Sequence, residues 1–261
     1  MRTLVEGSAP DVRIEVLIEG EGPDVVLLPS AGRGAEDFAL LQAALAKAGY
    51  RSLAVNPRGA GNSSSPEASL TFRDVAADVA AVIDQLANGT AHLVGHALGN
   101  TVARATASFH PDRVRTVTAM PVGGHNVDAY PPDAEVMRHF ARCHDESLSD
   151  EQRLESIGVV FFAPGNDASS WLHGWYPEAS AISAAMQRSD PAEWAMAGEA
   201  PMLVVHPLDD AMFPRRAGHE FAMLLGERVQ YVEIARCGHA ILPEQPDLVA
   251  SVLVAFLEAN A

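Results

Sequence analysis

The 261-residue sequence predicts an α/β fold: a mostly parallel central sheet flanked by helices and interrupted by a helical insertion. Three observations carry that prediction. Short apolar runs alternate with longer amphipathic stretches, the rhythm of successive strand, helix and strand units. The runs are apolar at nearly every position, as strands covered on both faces are, rather than alternating apolar with polar. The rhythm then fails between residues 124 and 200, where Pro, Trp and polar residues break up the helical segments.

Taken in order, residues 1–11 read as a short polar lead-in without the apolar core of a signal peptide. Strands are expected at 12–18, 25–28, 52–55, 91–94, 114–119 and 202–205. Between them, residues 73–86 place Val75, Val79, Val82, Ile83 and Leu86 on one helical face. A second helix is expected over 100–109, and a third over 246–257, opening with Pro246 at a position that favours proline. Helical pieces at 133–142 and 177–188 lie in the insertion. The chain thus divides into a core of 1–123 with 201–261 and a cap of 124–200. Loops at the carboxyl ends of parallel strands build the ligand crevice, so an insertion there is expected to act as a lid.

Composition narrows the function. Hydrophobic residues at 48% and charged residues at 20% suit one large buried core. A formal charge of -16 repels nucleic acid and anionic membranes, whose recognition depends on Lys and Arg. No apolar run approaches the roughly 18 residues of a membrane span. The two cysteines, Cys143 and Cys237, read as reduced thiols of a cytoplasmic protein. No Cys-x-x-Cys pair occurs, and neither metal nor cofactor is expected. The expected partner is a small-molecule substrate or ligand, with a homodimer left open.

The chemistry centres on Gly95-His96-Ala97-Leu98-Gly99, which lies between a predicted strand and a predicted helix. It matches the G-x-S-x-G turn in all but its nucleophile. Three further segments follow a fixed order around it. They are Asn56-Pro57-Arg58-Gly59-Ala60-Gly61-Asn62-Ser63, then Asp209-Asp210 with Pro214, then Cys237-Gly238-His239-Ala240 followed by Pro243-Glu244-Gln245-Pro246. Over nearly its whole length the chain resembles the α/β-hydrolase superfamily of the AB hydrolase-1 type. Asn56 departs from the usual Asp of its turn.

That resemblance implies the α/β-hydrolase fold and a set of site residues. The acid lies four residues before the proline, which selects Asp210, with Asp209 as the fallback; His239 is the catalytic imidazole, and Ala97 stands at the nucleophile position. A buried carboxylate fixes the imidazole tautomer so that the other nitrogen can move a proton. Oxyanion donors are expected from the backbone N–H groups of Ala31 and Leu98. Pro29 and Ser30 replace the usual His and Gly of the oxyanion loop, so the Ser30 hydroxyl is expected to face substrate or water. Ser30, His96, Phe161 and Trp175 are the expected substrate contacts. Arg33, His125 and His206 lie on neighbouring loops and read first as structural.

A methyl cannot attack a carbonyl, so Ala97 closes the acyl-enzyme route. A narrower resemblance favours a natural alanine over an engineered serine-to-alanine change at this position. P-S-x-G-R at 29–33, G-H-A-x-G-N at 95–100 and F-F-A-P-G-N-D at 161–167 are combined in a bacterial subset of the superfamily with Ala at this turn. Two functions remain open. In one, His239 activates water against an ester, a lactone or a β-diketone-like carbonyl, or acts as the base of a related lyase or isomerase. In the other, the crevice binds a small ligand without turnover.

Overall fold

The computed structural model describes residues 1–64, 70–123, 129–145, 147–186 and 189–261. Eight strands form one sheet: β1 (Arg2–Glu6), β2 (Arg13–Glu19), β3 (Asp24–Leu28), β4 (Arg51–Val55), β5 (Ala91–His96), β6 (Val114–Met120), β7 (Met202–Pro207) and β8 (Val229–Ile234). Their spatial order is β1-β2-β4-β3-β5-β6-β7-β8. β2 runs antiparallel to both of its neighbours, and every pairing from β4 to β8 is parallel.

The apolar runs work as expected of strands covered on both sides. In β3, Val26 and Leu28 face one core, and Val25 and Leu27 face the other. The first core packs against α2 (Phe72–Leu86) and α3 (Leu98–Phe109), the second against α1 (Ala39–Lys47) and the helix Pro246–Ala259. Helix α2 starts where the sequence dictates. Thr71 accepts from the Asp74 N–H while the Asp74 carboxylate accepts from the Thr71 N–H, a reciprocal cap.

Two strands escape the periodicity. The polar lead-in is in fact the edge strand β1, in which only Val5 is buried. At the opposite edge only Ile234 of β8 is buried, so neither strand presents an apolar run.

Between β6 and β7 the chain passes through α4 (Ala134–Cys143), α5 (Asp150–Phe161) and α6 (Pro177–Met186). The last two residues of the helix expected over 177–188, and His125, lie outside the described residues. An apolar cluster of Ile157, Val160, Phe161, Phe162 and Trp171 includes Ala240, so this segment sits on the loop that carries His239. Among the described residues, no helix is long and apolar enough to cross a membrane. Cys143 and Cys237 are free, buried and in separate clusters.

Candidate functional site

The turn between β5 and α3 has the strained backbone that its glycines permit. Ala97 sits at φ 48°, ψ −112°, a region side chains seldom adopt. A Cβ on Gly95 would lie 2.2 Å from the Gly99 carbonyl oxygen, and one on Gly99 would lie 2.0 Å from that of Leu28. Both positions therefore exclude any side chain, and α3 presses directly on the loop after β3. The turn is locked from behind. Ala97 N–H donates to Met120 O at 2.8 Å, and the Asn100 amide donates to the carbonyls of Ala97 at 2.7 Å and Pro121 at 2.6 Å.

Ala31 and Leu98, the expected oxyanion donors, lie on the loop after β3 and at the start of α3. Leu98 is the first residue of α3, so its N–H has no partner within the helix. Among the described residues, neither its N–H nor that of Ala31 donates to a protein group. Gly32, at φ 68°, turns the loop, and its carbonyl accepts from Tyr176 N–H at 2.8 Å. Ser30 is nearly buried, and its hydroxyl has no partner among the described residues.

The loops after β7 and β8 bring Asp210 and His239 together. His239 Nδ1–H donates to Asp210 Oδ2 at 3.1 Å, with Oδ1 at 3.2 Å. Met212 and Phe213 N–H groups donate to Asp210 Oδ1 at 2.8 and 3.0 Å, which fixes the carboxylate plane. Asp209 is exposed, and its own N–H donates to Cys237 O at 3.0 Å, so Asp210 rather than its neighbour faces the imidazole.

The histidine loop is tied to the segment after α5. Glu244 accepts from Gly238 N–H and Ala163 N–H, both at 2.8 Å, and from the Asn166 amide at 2.6 Å. Burial raises the Glu244 pKa despite those three donors. Ala240 N–H donates to Phe161 O at 2.7 Å, and a Cβ on Gly238 would lie 2.7 Å from Ala163 N. Sequence reasoning placed Glu244 at a helix start without giving it this role.

Phe161 lies 5.7 Å from the His239 ring and 5.0 Å from Trp171, and the Trp175 indole N–H donates to Trp171 O at 2.7 Å. Trp171 is thus the hub of this wall. Arg33 is buried between Trp171 and Trp175, 4.8 and 4.6 Å from their ring centres. It pairs with both oxygens of Asp37 at 2.8 and 2.6 Å and donates to His173 O at 2.7 Å. It therefore ties the loop after β3 to the segment between β6 and β7. Burial raises the Asp37 pKa, opposed by Arg33.

His96, expected against substrate, has no solvent-accessible surface. Its Nε2–H donates to the His239 carbonyl at 2.8 Å, so it supports the histidine loop from below. Burial, reinforced by the neighbouring His239, pushes its pKa down to about 3. His206 is equally buried and packs against Gly218, where a Cβ would lie 2.4 Å from its Nδ1. Asn56 explains its departure from Asp. Its amide donates to Glu15 Oε2 at 2.7 Å while its carbonyl accepts from Ala35 N–H at 2.7 Å, a pairing a carboxylate cannot make.

Comparison with known proteins shows the family and the fold. A putative carbamate hydrolase, RutD, from Variovorax paradoxus is 34% identical over 52% of this chain and 47% of its own length. The chain spans less than half the length of this relative and of two other curated relatives it matches. A 2-hydroxymuconate semialdehyde hydrolase from Pseudomonas sp. is 27% identical, covering 97% of this chain and 93% of that protein. Among solved structures, an esterase from Exiguobacterium antarcticum superposes with a TM-score of 0.79 at 21% identity, covering 99% of this chain and 100% of that one. The model of the family described as "Alpha/beta hydrolase family" matches residues 25–252, and the chain belongs to that family.

Proposed function

We propose that this protein hydrolyses a small carbonyl compound, an ester or lactone, by attack of water rather than through an acyl-enzyme. One observation carries the reading: the Asp210–His239 pair is intact beside a strained turn that ends in the methyl of Ala97. We read Ala97 as the native residue and the segment between β6 and β7 as the lid.

In this mechanism, water occupies the space that a serine oxygen would fill. His239 Nε2 accepts its proton as the water oxygen bonds to the carbonyl carbon, and Asp210 stabilises the resulting imidazolium. The carbonyl electrons move onto oxygen, which accepts from the N–H groups of Ala31 and Leu98, the latter aided by the positive end of α3. Collapse expels the alkoxide, which takes the proton back from His239, leaving acid and alcohol. Relatives named as a carbamate hydrolase and a semialdehyde hydrolase support hydrolysis as the reaction class.

The test is turnover of short esters and lactones by the wild type, His239→Ala and Ala97→Ser. Wild-type turnover that disappears in His239→Ala supports the reading, and a fluorophosphonate probe is expected to label only Ala97→Ser. Stabilisation of the wild type by these compounds without turnover overturns it in favour of a binding protein. Labelling of the wild type would reveal a protein nucleophile and overturn attack by water.

A further inference from the structure

The loop that carries His239 is bonded on both sides of that residue. Gly238 N–H donates to Glu244 Oε1 at 2.8 Å, His239 O accepts from His96 Nε2–H at 2.8 Å, and Ala240 N–H donates to Phe161 O at 2.7 Å. Glu244, at the end of the short helix Ile241–Glu244, also reaches the segment after α5. Its other oxygen, Oε2, accepts from Ala163 N–H at 2.8 Å and from the Asn166 amide at 2.6 Å. All three partners are N–H donors. The ionised carboxylate therefore fits them, whereas a carboxyl proton would meet a donor in place of an acceptor. Burial works against the charge and the three donors work for it.

We propose that Glu244 is a positioning residue for His239: its carboxylate clamps the histidine loop to residues 161–167, which makes this part of the insertion a fixed support of the dyad. The inference rests on the Asp210–His239 geometry and not on hydrolysis as the reaction. That geometry demands a carboxylate rather than any polar group of the same size. A glutamine has one oxygen. Turned toward Gly238, it sets its NH2 against the two donors of Ala163 and Asn166; turned toward those two, it sets its NH2 against Gly238 N–H. Asn166 cannot relieve the clash by flipping its amide without losing a second bond, because the same nitrogen donates to Arg236 O at 3.2 Å. The loop has no slack on that side either. A Cβ on Gly238 would lie 2.7 Å from Ala163 N, so the two backbones are in direct contact. Displacement of Gly238 therefore passes to the next residue, whose Nδ1 lies 3.1 Å from Asp210 Oδ2 and whose ring packs 5.7 Å from that of Phe161.

The His239 Nδ1–H resonance, read by proton NMR and assigned by its absence from His239→Ala, tests this without substrate. In the wild type, the bond to the buried Asp210 carboxylate is expected to place it at low field, apart from the amides. Glu244→Gln is expected to move it upfield or broaden it beyond detection, at a temperature where circular dichroism shows the variant folded. Asn166→Ala, at an exposed position, removes one of the two donors to Oε2 and is expected to shift it in the same direction by less. Glu155→Gln removes an exposed carboxylate of α5 and is expected to leave it in place, which separates the clamp from a mere loss of charge. An unchanged resonance in either Glu244→Gln or Asn166→Ala, or an equal shift in Glu155→Gln, overturns the proposal. Asn166→Ala keeps it open to refutation where Glu244→Gln fails to fold. With short esters, Glu244→Gln is expected to lower kcat by about 10²-fold while KM stays within about twofold, the effect of a misplacement of about 1 Å. A wild type without ester turnover removes the hydrolytic reading and leaves the resonance to decide the role of Glu244. Wild-type turnover with an unmoved resonance and an unchanged kcat in Glu244→Gln does the reverse.

Discussion

Lowering the pH from about 7 to about 4.5 puts a proton on His96 in the unfolded chain but not in the folded one. The reason is geometric. The ring is fully buried, and its Nε2 faces a carbonyl oxygen, so the neutral tautomer carries its proton there. Among the described residues Nδ1 has no partner, so a second proton would create a buried cationic N–H with none of them to accept it. The folded pKa accordingly lies at about 3, against 6.5 for a free side chain. The native state therefore binds fewer protons than the unfolded state throughout that window. Stability is complete above the unfolded value and falls as the pH drops toward the folded one. Two pH units below 6.5, at roughly 1.4 kcal/mol per unit, the loss from this group is about 3 kcal/mol. Urea denaturation of the wild type and His96→Gln across this range measures it, since glutamine keeps an N–H donor for the His239 carbonyl and cannot titrate. His92 and His206, both lowered chiefly by burial, titrate in both proteins and cancel in the difference. Equal losses in the two proteins would refute the reasoning.

Gly99→Ala is expected to lower stability by more than about 3 kcal/mol, or to prevent folding, because its Cβ lands 2.0 Å from the Leu28 carbonyl oxygen in backbone with no room to yield. Thermal melting by circular dichroism reads this directly. Asn56→Asp is expected to cost about 2–3 kcal/mol at neutral pH, by facing two buried carboxylates and losing the donor to Glu15. Adding Glu15→Gln should restore most of that in urea midpoints. Asp210→Asn is expected to leave the melting temperature within a few degrees while lowering ester turnover by about 10⁴-fold, the effect of the same change in a serine-protease triad. Steady-state kinetics decides it, and turnover near wild type would remove Asp210 from the mechanism.

The central strands were legible because each is covered on both faces, and the observed bounds of β3 to β7 extend the expected ones by no more than two residues. Edge strands were not legible, since β1 and β8 each bury one side chain and therefore carry no apolar run. In the candidate site, the Asp210–His239 pair could be read from position within motifs. The roles of His96 and Glu244 could not, because they arise from bonds across 143 and 81 residues of chain. His96 in particular occupies a motif position next to the turn, yet the side-chain alternation of β5 directs it beneath the histidine loop rather than toward a ligand. Arg33 was equally opaque, since nothing in its own segment announces the two tryptophans that enclose it.

What the structure adds to Ala97 is the separation of two functions that G-x-S-x-G normally combines. A non-glycine residue at φ 48° carries a backbone penalty of about 1–3 kcal/mol, and a side chain that attacks nothing gives no reason to bear it. The turn nevertheless holds this shape through contacts that ignore the side chain at 97. Gly95 and Gly99 set the approach of backbone to backbone, Met120 and Asn100 bond the peptide groups of Ala97, and the outcome is the direction of the Leu98 N–H. In the proposed reading, an alanine at this turn lacks one atom of a serine hydrolase site and keeps its polarising half. In that reading, a dyad that moves protons next to donors that stabilise negative charge is a complete set for adding water to a carbonyl. The same strain that presents an oxygen in a serine hydrolase then serves to aim an N–H.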